Sequence, residues 1–147
     1  MAGDEFIAFV RAAATGVVAT VDREGNPEAA LVGLGITDAC ELVFDSEATA
    51  RKIANIACNP RVAVVVGWDD DVSLQIEGVA EVLSGAAREE YGGVYEAQLP
   101  SSRALQDGFA VVRITPRWLR YYDARPQFFR VAEGPVQRAS RSGRTDS

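Results

Sequence analysis

The sequence predicts a mainly β, single-domain protein whose strands form a barrel, with a few short helices between them. The chain has 147 residues, close to the usual size of one domain. Its 48% hydrophobic and 24% charged residues are typical of a soluble globular protein. Strand patterns follow one another at short intervals, with too few helical segments between them for a parallel sheet. This spacing favours a barrel.

The first half of the chain predicts two helices and three strands. Residues 4–14 predict a helix, because Asp4 and Glu5 lie in its first turn, where the helix dipole favours acidic groups. Residues 16–21, 29–36 and 41–45 predict neighbouring strands separated by turn residues. Apolar residues at helical spacing then predict a helix over 49–57, which Asn59-Pro60 ends.

The second half is again dominated by strands. The apolar run 62–66 predicts a fully buried strand, and 72–82 shows the clearest alternation of the sequence. A helix over 85–97 precedes predicted strands over 109–114 and 118–123 and a short one near 128–131. Residues 133–147, rich in Ser, Arg and Gly, are expected to form a disordered C-terminal tail. The single domain is therefore expected to span residues 1–132.

Composition excludes several classes of function. Fifteen basic and 21 acidic residues give a net charge of −6, which argues against a nucleic-acid partner. Histidine is absent, which excludes Ser-His-Asp and Cys-His catalysis and histidine-ligated zinc or haem. We expect no membrane span and a cytoplasmic location, because no apolar run is long enough and the first residues lack the basic start of a signal peptide. Cys40 and Cys58 lack Cys-x-x-Cys spacing and are expected to be reduced thiols.

The segment from Phe44 to Lys52 is the best candidate for a binding site. A predicted strand ends there, Ser46 and Thr49 supply hydroxyl groups, and a predicted helix begins with Arg51 and Lys52. Free N–H groups and the dipole at a helix start favour an anion, and two adjacent cations suit a phosphate monoester. Composition alone favours the alternative, an ordinary helix start with solvated cations.

Other motifs have simpler interpretations. The acidic run 69–71 lacks the spacing of metal ligands and is expected to be a solvated turn. Gly33-x-Gly35 lacks the third glycine and the helix of a nucleotide fingerprint. Trp118, Tyr121 and Tyr122 could stack on a planar ring, but aromatic residues in strands are more often part of a core. No metal site is predicted and no residue is assigned a catalytic role.

Several short motifs, in shared order and spacing over residues 16–131, resemble the pyridoxamine 5′-phosphate oxidase-like family of split barrels, although no one of them is specific. They are Val17-Val18-Ala19-Thr20-Val21-Asp22 with Gly25-x-Pro27, Arg51-Lys52, Asn59-Pro60-Arg61-Val62, and Glu77-Gly78-x-Ala80-Glu81. The resemblance implies a six-stranded antiparallel Greek-key split β-barrel, a homodimer, and flavin mononucleotide (FMN) bound between the subunits.

The resemblance also implies roles for individual residues. Arg51 and Lys52 match cations that hold the FMN phosphate, while Tyr122 and Arg130 match residues that reach the cofactor from the partner subunit. Ser73 falls where the family often has a glutamine to the flavin. With Thr49 added from the segment above, the candidate cofactor-binding residues are Ala30, Leu31, Val32, Gly33, Asp45, Ser46, Thr49, Arg51, Lys52, Ser73, Gln75, Ser101, Tyr122 and Arg130.

Departures from the family pattern bear on the substrate. Ala30 and Gly35 stand where the oxidase has an arginine and a lysine, and Pro126-Gln127-Phe128 replaces its substrate-gripping Arg-x-His. We therefore expect an FMN-dependent oxidoreductase acting on a small molecule other than pyridoxamine phosphate. The alternatives are a reductase that uses a deazaflavin coenzyme on the same barrel, and a non-catalytic flavin-binding module.

Overall fold

Antiparallel strands dominate the computed structural model, which describes residues 1–136. A 3₁₀ turn, Asp69–Asp71, lies on the surface between the strand that ends at Val66 and the strand that begins at Val72. The helices and strands are α1 Gly3–Ala13, β1 Thr15–Val21, β2 Pro27–Gly33, β3 Gly35–Ile36, β4 Leu42–Glu47, α2 Arg51–Cys58, β5 Arg61–Val66, β6 Val72–Val82, α3 Gly85–Gln98, β7 Phe109–Asp123 and β8 Arg130–Pro135.

The sheet closes through a bend in one strand. Its order is β2-β1-β5-β6-β7-β4-β3, and the two end strands follow each other in the chain across Leu34. The predicted strand over 29–36 is therefore interrupted: β2 pairs with β1, β3 pairs with β4, and the Leu34 amide donates to Ala14 O at 2.9 Å. With β2 and β3 counted as one bent strand, the barrel has six strands in Greek-key order. This confirms the predicted split barrel.

The strand over 62–66 is wrongly predicted to be fully buried. In β5 the inward residues are buried, but Ala63 and Val65 face outward and are exposed. Every residue of this strand except Arg61 is alanine or valine, so the polar alternation that marks a half-exposed strand is missing. The consequence is an apolar outer surface.

The predicted strands over 109–114 and 118–123 are one continuous strand, β7. Pro116 lies between the two predicted strands and has no N–H to donate to a sheet. The structure accommodates it with a β-bulge: the register with β6 shifts so that Arg117 is an extra residue. The strand thus passes the proline without ending.

The last described strand, β8, pairs with the second half of β7 and lies outside the six-stranded barrel. It begins at Arg130, and it includes residues 133–135, which the sequence assigned to a disordered tail. That part of the prediction is corrected, and residues 137–147 lie outside the described residues.

The core lies inside the curled sheet, under α1. Phe6 and Val10 of α1 and Phe44 of β4 are completely buried. Both cysteines are free thiols, Cys40 buried and Cys58 exposed. Within residues 1–136 we find no helix whose length and apolar character would allow it to cross a bilayer.

Candidate functional site

The candidate site surrounds a gap in the barrel, between β2 and the second half of β4 (45–47), which we call the split. The two strands approach each other here without pairing. Helix α2 lies at the Glu28 end of the split and α3 at the Gly33 end. Five residues of extended chain separate these ends, which is about 17 Å at about 3.4 Å per residue.

At one end, the start of α2 forms what we call the cradle: Thr49, Arg51, Lys52 and the amides of the helix's first turn. Ala50 is the N-cap residue, and no side chain caps the helix. Ile53 N donates to Ala50 O at 3.1 Å, whereas Arg51 N and Lys52 N have no backbone acceptor within the described part of the chain. Thr49 is exposed and lies in the turn before the helix, one residue before the N-cap position. The cradle therefore presents free donors and two cations to an anion.

The two cations of the cradle differ in their surroundings. Arg51 Nε lies 3.4 Å from Glu28 Oε2, although 81% of the Arg51 side chain is exposed. Asn55 Nδ2 donates to the same Glu28 oxygen at 3.2 Å and to Thr20 Oγ1 at 3.0 Å. Lys52 is half-buried and forms no ion pair with any described residue. Lys52 is thus the cation that is free to bind a ligand, while Arg51 is shared with Glu28.

At the other end, Tyr95 of α3 covers Gly33. A Cβ atom at Gly33 would lie 2.5 Å from the Tyr95 hydroxyl oxygen. Tyr95 is 3% exposed, and its hydroxyl lies beside the Asp45 carboxylate. Burial, and after it the negative charge of Asp45, raises the pKa of the Tyr95 phenol well above its ordinary value. The hydroxyl therefore keeps its proton and remains a donor next to the backbone of β2.

Helix α3 also fills the space at Gly35, where the oxidase has a lysine. A Cβ atom at Gly35 would lie 3.2 Å from Gln98 Oε1. That oxygen accepts from Ile36 N at 3.0 Å, and Gln98 Nε2 donates to Ile36 O at 2.8 Å. The Gln98 amide thus satisfies both backbone groups of Ile36 and occupies the place of a longer side chain.

The remaining predicted residues at the split contribute backbone more than side chains. Ser46 is buried, and its hydroxyl donates a hydrogen bond to Glu47 O at 2.9 Å. The hydroxyl proton is therefore not available to donate to a ligand. Ala30 and Val32 are more buried than Leu31, which is 66% exposed on the outer side of β2. Ser101 is exposed in the loop after α3, close to where Arg103 N donates to Asp45 Oδ2 at 3.3 Å.

Four other predicted residues lie elsewhere on the barrel, and three of them, Ser73, Gln75 and Tyr122, are called the distal group. Ser73 and Gln75 are on β6, Tyr122 is on β7 and pairs with Ser73, and Arg130 begins β8. Arg130 lies over the Tyr121 ring, and its Nη1 is 3.6 Å from Glu5 Oε2 of α1. The distal group shares the outward side of the sheet, whereas Arg130 pairs with Asp123 and lies on the opposite side, near α1.

An apolar sheet surface, the outer face, separates the distal group from the split. One row of paired residues crosses it from Leu31 through Val17 and Val65 to Gln75. Three strand spacings of about 4.8 Å place Leu31 and Gln75 about 14 Å apart along the sheet. A pocket of about 450 Å³ also opens on this side, and none of the predicted site residues lines it. One chain therefore does not bring all the predicted residues together.

Sequence reasoning missed Glu28, Tyr95 and Gln98. In the sequence, Glu28 is a polar residue next to a turn, and the segment that forms α3 is a predicted helix with no distinctive motif. Their roles depend on which strand lies beside which helix. The local signal for a close approach at this strand was the pair of glycines, Gly33 and Gly35.

Gly33→Ala tests the close approach of α3 to β2. We expect it to lower the free energy of unfolding by about 1–3 kcal/mol, the usual cost of overpacking a tight site. The double variant Gly33→Ala/Tyr95→Phe should recover part of this loss, because it removes the oxygen that the new Cβ would meet. Urea unfolding of both variants and of Tyr95→Phe gives the coupling. Losses that simply add would show that Tyr95 does not contact residue 33.

Known proteins resemble this chain in sequence over half its length and in fold over most of it. A pyridoxine/pyridoxamine 5′-phosphate oxidase from Bordetella pertussis is 35% identical over 75 residues, which are 50% of this chain. The match spans only 36% of that relative's length.

Three solved structures share the fold, each at under 25% identity. A haem-binding protein from Mycobacterium smegmatis has a TM-score of 0.76 at 19% identity, covering 92% of this chain and 58% of that one. An F420 reductase has a TM-score of 0.61 at 20% identity over 76% and 93% of the two chains. A pyridoxamine 5′-phosphate oxidase-related, FMN-binding protein from Nostoc punctiforme has a TM-score of 0.60 at 16% identity over 91% and 94%.

The sequence profile of the pyridoxamine 5′-phosphate oxidase family matches residues 2–123, which include the split, both flanking helices and all of β7. The motifs quoted above lie within this match, and the split barrel agrees with it. The chain belongs to the pyridoxamine 5′-phosphate oxidase-like family.

Proposed function

We propose that this protein is a flavin-binding oxidoreductase that acts as a homodimer on a small molecule other than pyridoxamine phosphate. The cradle is the observation that carries the proposal. Two adjacent cations and an uncapped helix start lie at one end of an exposed strand edge, in a chain of a family with an FMN-binding structural neighbour. This donor set fits a phosphate-bearing cofactor.

The residues of the split have separate tasks in this proposal. Lys52, Arg51 and the first-turn amides would hold the phosphate, and Thr49 would add a hydroxyl. The edge of β2 from Ala30 to Gly33 would lie beside the ring, with Leu31 excluding water. Tyr95 holds Asp45 and the end of β2 in place. A bound flavin supplies hydride or electron transfer, which needs no histidine base and agrees with the histidine count of zero.

The second subunit would complete the site. The resemblance assigns the split residues and the distal group to one cofactor, yet one chain keeps them on opposite sides of the outer face. Two copies docked outer face to outer face about a twofold axis would each place their distal group near the partner's split. The exposed Leu31 and Val65 support this, because a monomer rarely leaves such a continuous apolar sheet surface uncovered.

Val65→Glu tests this dimer. Val65 faces outward in the middle of the outer face, so a buried negative charge there should separate the subunits while the barrel stays folded. Light scattering should change from twice the chain mass of 15.8 kDa to that mass itself. Ala86→Glu, which adds the same charge on exposed α3, should remain dimeric. A wild-type protein that is monomeric at all concentrations would disprove the dimer.

The substrate proposal follows from Gly35. A lysine at this position would need the volume that Gln98 and Tyr95 now occupy, so position 35 offers no cation to a ligand. An anionic B6 vitamer would find no charged partner at this position. Activity with pyridoxamine phosphate comparable to that with an uncharged substrate would contradict this proposal.

The identity of the cofactor is tested by spectroscopy and titration. Purified protein should be yellow, release flavin on denaturation, and regain its absorbance with FMN. Tight binding of the deazaflavin coenzyme F420 alone would establish the alternative suggested by the F420 reductase neighbour. A colourless protein that binds neither would overturn the proposed function.

A further inference from the structure

Glu28 is placed to set the charge of the cradle. Its side chain is 24% exposed and lies 3.4 Å from Arg51 Nε. The carboxylate does not depend on this contact for its position, because Asn55 Nδ2 donates to it. Asn55 is itself 8% exposed and is held by the buried hydroxyl of Thr20. The negative charge is therefore a built-in part of the split, supported from the barrel interior.

The net charge around the cradle is small as a result. Arg51 and Lys52 contribute two positive charges, and Glu28 removes one of them. Asp22, in the turn after β1, adds a weaker negative influence. Its pKa lies below the ordinary value mainly because Asn26 donates hydrogen bonds to the carboxylate, and the charge of Arg51 is a smaller cause. A phosphate with two negative charges meets more repulsion from these carboxylates than one with a single charge.

We infer that Glu28 determines which kind of phosphate the cradle accepts, shifting its preference from a doubly charged phosphate monoester towards a singly charged phosphodiester. This inference rests on the proposed function and adds the class of phosphate to it. FMN carries a monoester, whereas a phosphate esterified twice, as in a deazaflavin coenzyme, is a diester. Glu28 discriminates between them by repulsion, which grows with the charge of the ligand.

Glu28→Gln tests the inference by removing the charge while keeping an amide oxygen to accept from Asn55. Three probes share one ring: FMN, its phosphate methyl ester and riboflavin. At about pH 8 they carry two, one and no phosphate charges. We expect affinity to rise roughly fivefold for each negative charge, so about 25-fold for FMN and about fivefold for the methyl ester. Riboflavin affinity should not change.

Two further variants separate the charge of Glu28 from other effects. Glu28→Asp keeps the charge and should keep the wild-type order of affinities. Glu89→Gln removes a negative charge on α3 that pairs with Arg88 and should change none of them. FMN and methyl ester affinities that rise equally in Glu28→Gln, or do not rise, would overturn the inference and leave the proposed function standing. Failure of the wild-type protein to bind any of the flavins would overturn both.

Discussion

Replacing Phe44 by alanine is expected to lower the free energy of unfolding by about 3–5 kcal/mol. Phe44 is completely buried in the middle of β4, where it pairs with Val112 of β7. Loss of the ring removes apolar burial and leaves a cavity that the tightly packed core cannot easily collapse to fill. Because domains of this size are stable by about 5–15 kcal/mol in total, the variant should unfold at far lower urea concentration.

Two variants keep this prediction open to contradiction. Phe44→Leu retains most of the apolar volume and should lose clearly less stability, which remains measurable if Phe44→Ala does not fold. Phe128→Ala makes the same chemical change at a side chain that is 60% exposed, and it should be nearly neutral. Equal losses at positions 44 and 128 would mean that Phe44 does not lie in the core.

Lys52→Ala should weaken FMN binding by about 1.5–3 kcal/mol, the usual contribution of a hydrogen bond to a charged group. This is roughly ten- to hundredfold in the dissociation constant. Lys52 is the cation of the cradle that no described carboxylate neutralises, so its charge acts on the phosphate alone. Fluorescence titration of FMN measures the effect, and riboflavin, which has no phosphate, should bind both proteins equally.

Arg23→Ala is the matched control for Lys52→Ala. It removes the same charge near the opposite end of α2, where Arg23 Nε donates to Cys58 Sγ at 3.2 Å. Eight helical residues place the two ends of α2 about 11 Å apart. An unchanged FMN affinity in Lys52→Ala, or an equal loss in Arg23→Ala, would rule out a specific phosphate contact at Lys52.

Local sequence signals predicted most of the strands and helices because those signals are short-range. Alternation in 72–82 and helical spacing before Asn59 depend only on neighbours along the chain, and both elements are present in the structure. The bend at Leu34 and the continuity of β7 past Pro116 were missed. Both depend on partner strands. The bend at Leu34 occurs because the chain stops pairing with β1 and begins to pair with β4, and β7 continues past Pro116 because of a bulge opposite β6.

For the candidate site, too, the sequence could indicate only what neighbouring residues determine. The cations at the start of α2 could be found because they are adjacent in sequence to a strand end. Glu28 precedes them by more than twenty residues, and Tyr95 follows them by more than forty, so no local pattern connects these residues to the cradle. Their contribution became visible only when β2 was placed between the two helices.

The amino-acid sequence by itself determined the barrel, the family and the presence of two cations at a helix start, since periodicity, turn chemistry and motif order are properties of neighbouring residues. The tertiary structure decided which charges those cations face and which predicted residues share a site. It placed Glu28 beside Arg51 and left Gln75 of the distal group about 14 Å from Leu31. The reason is physical: electrostatic and packing energies depend on distances in space, and these are set by strand pairing and not by separation along the chain.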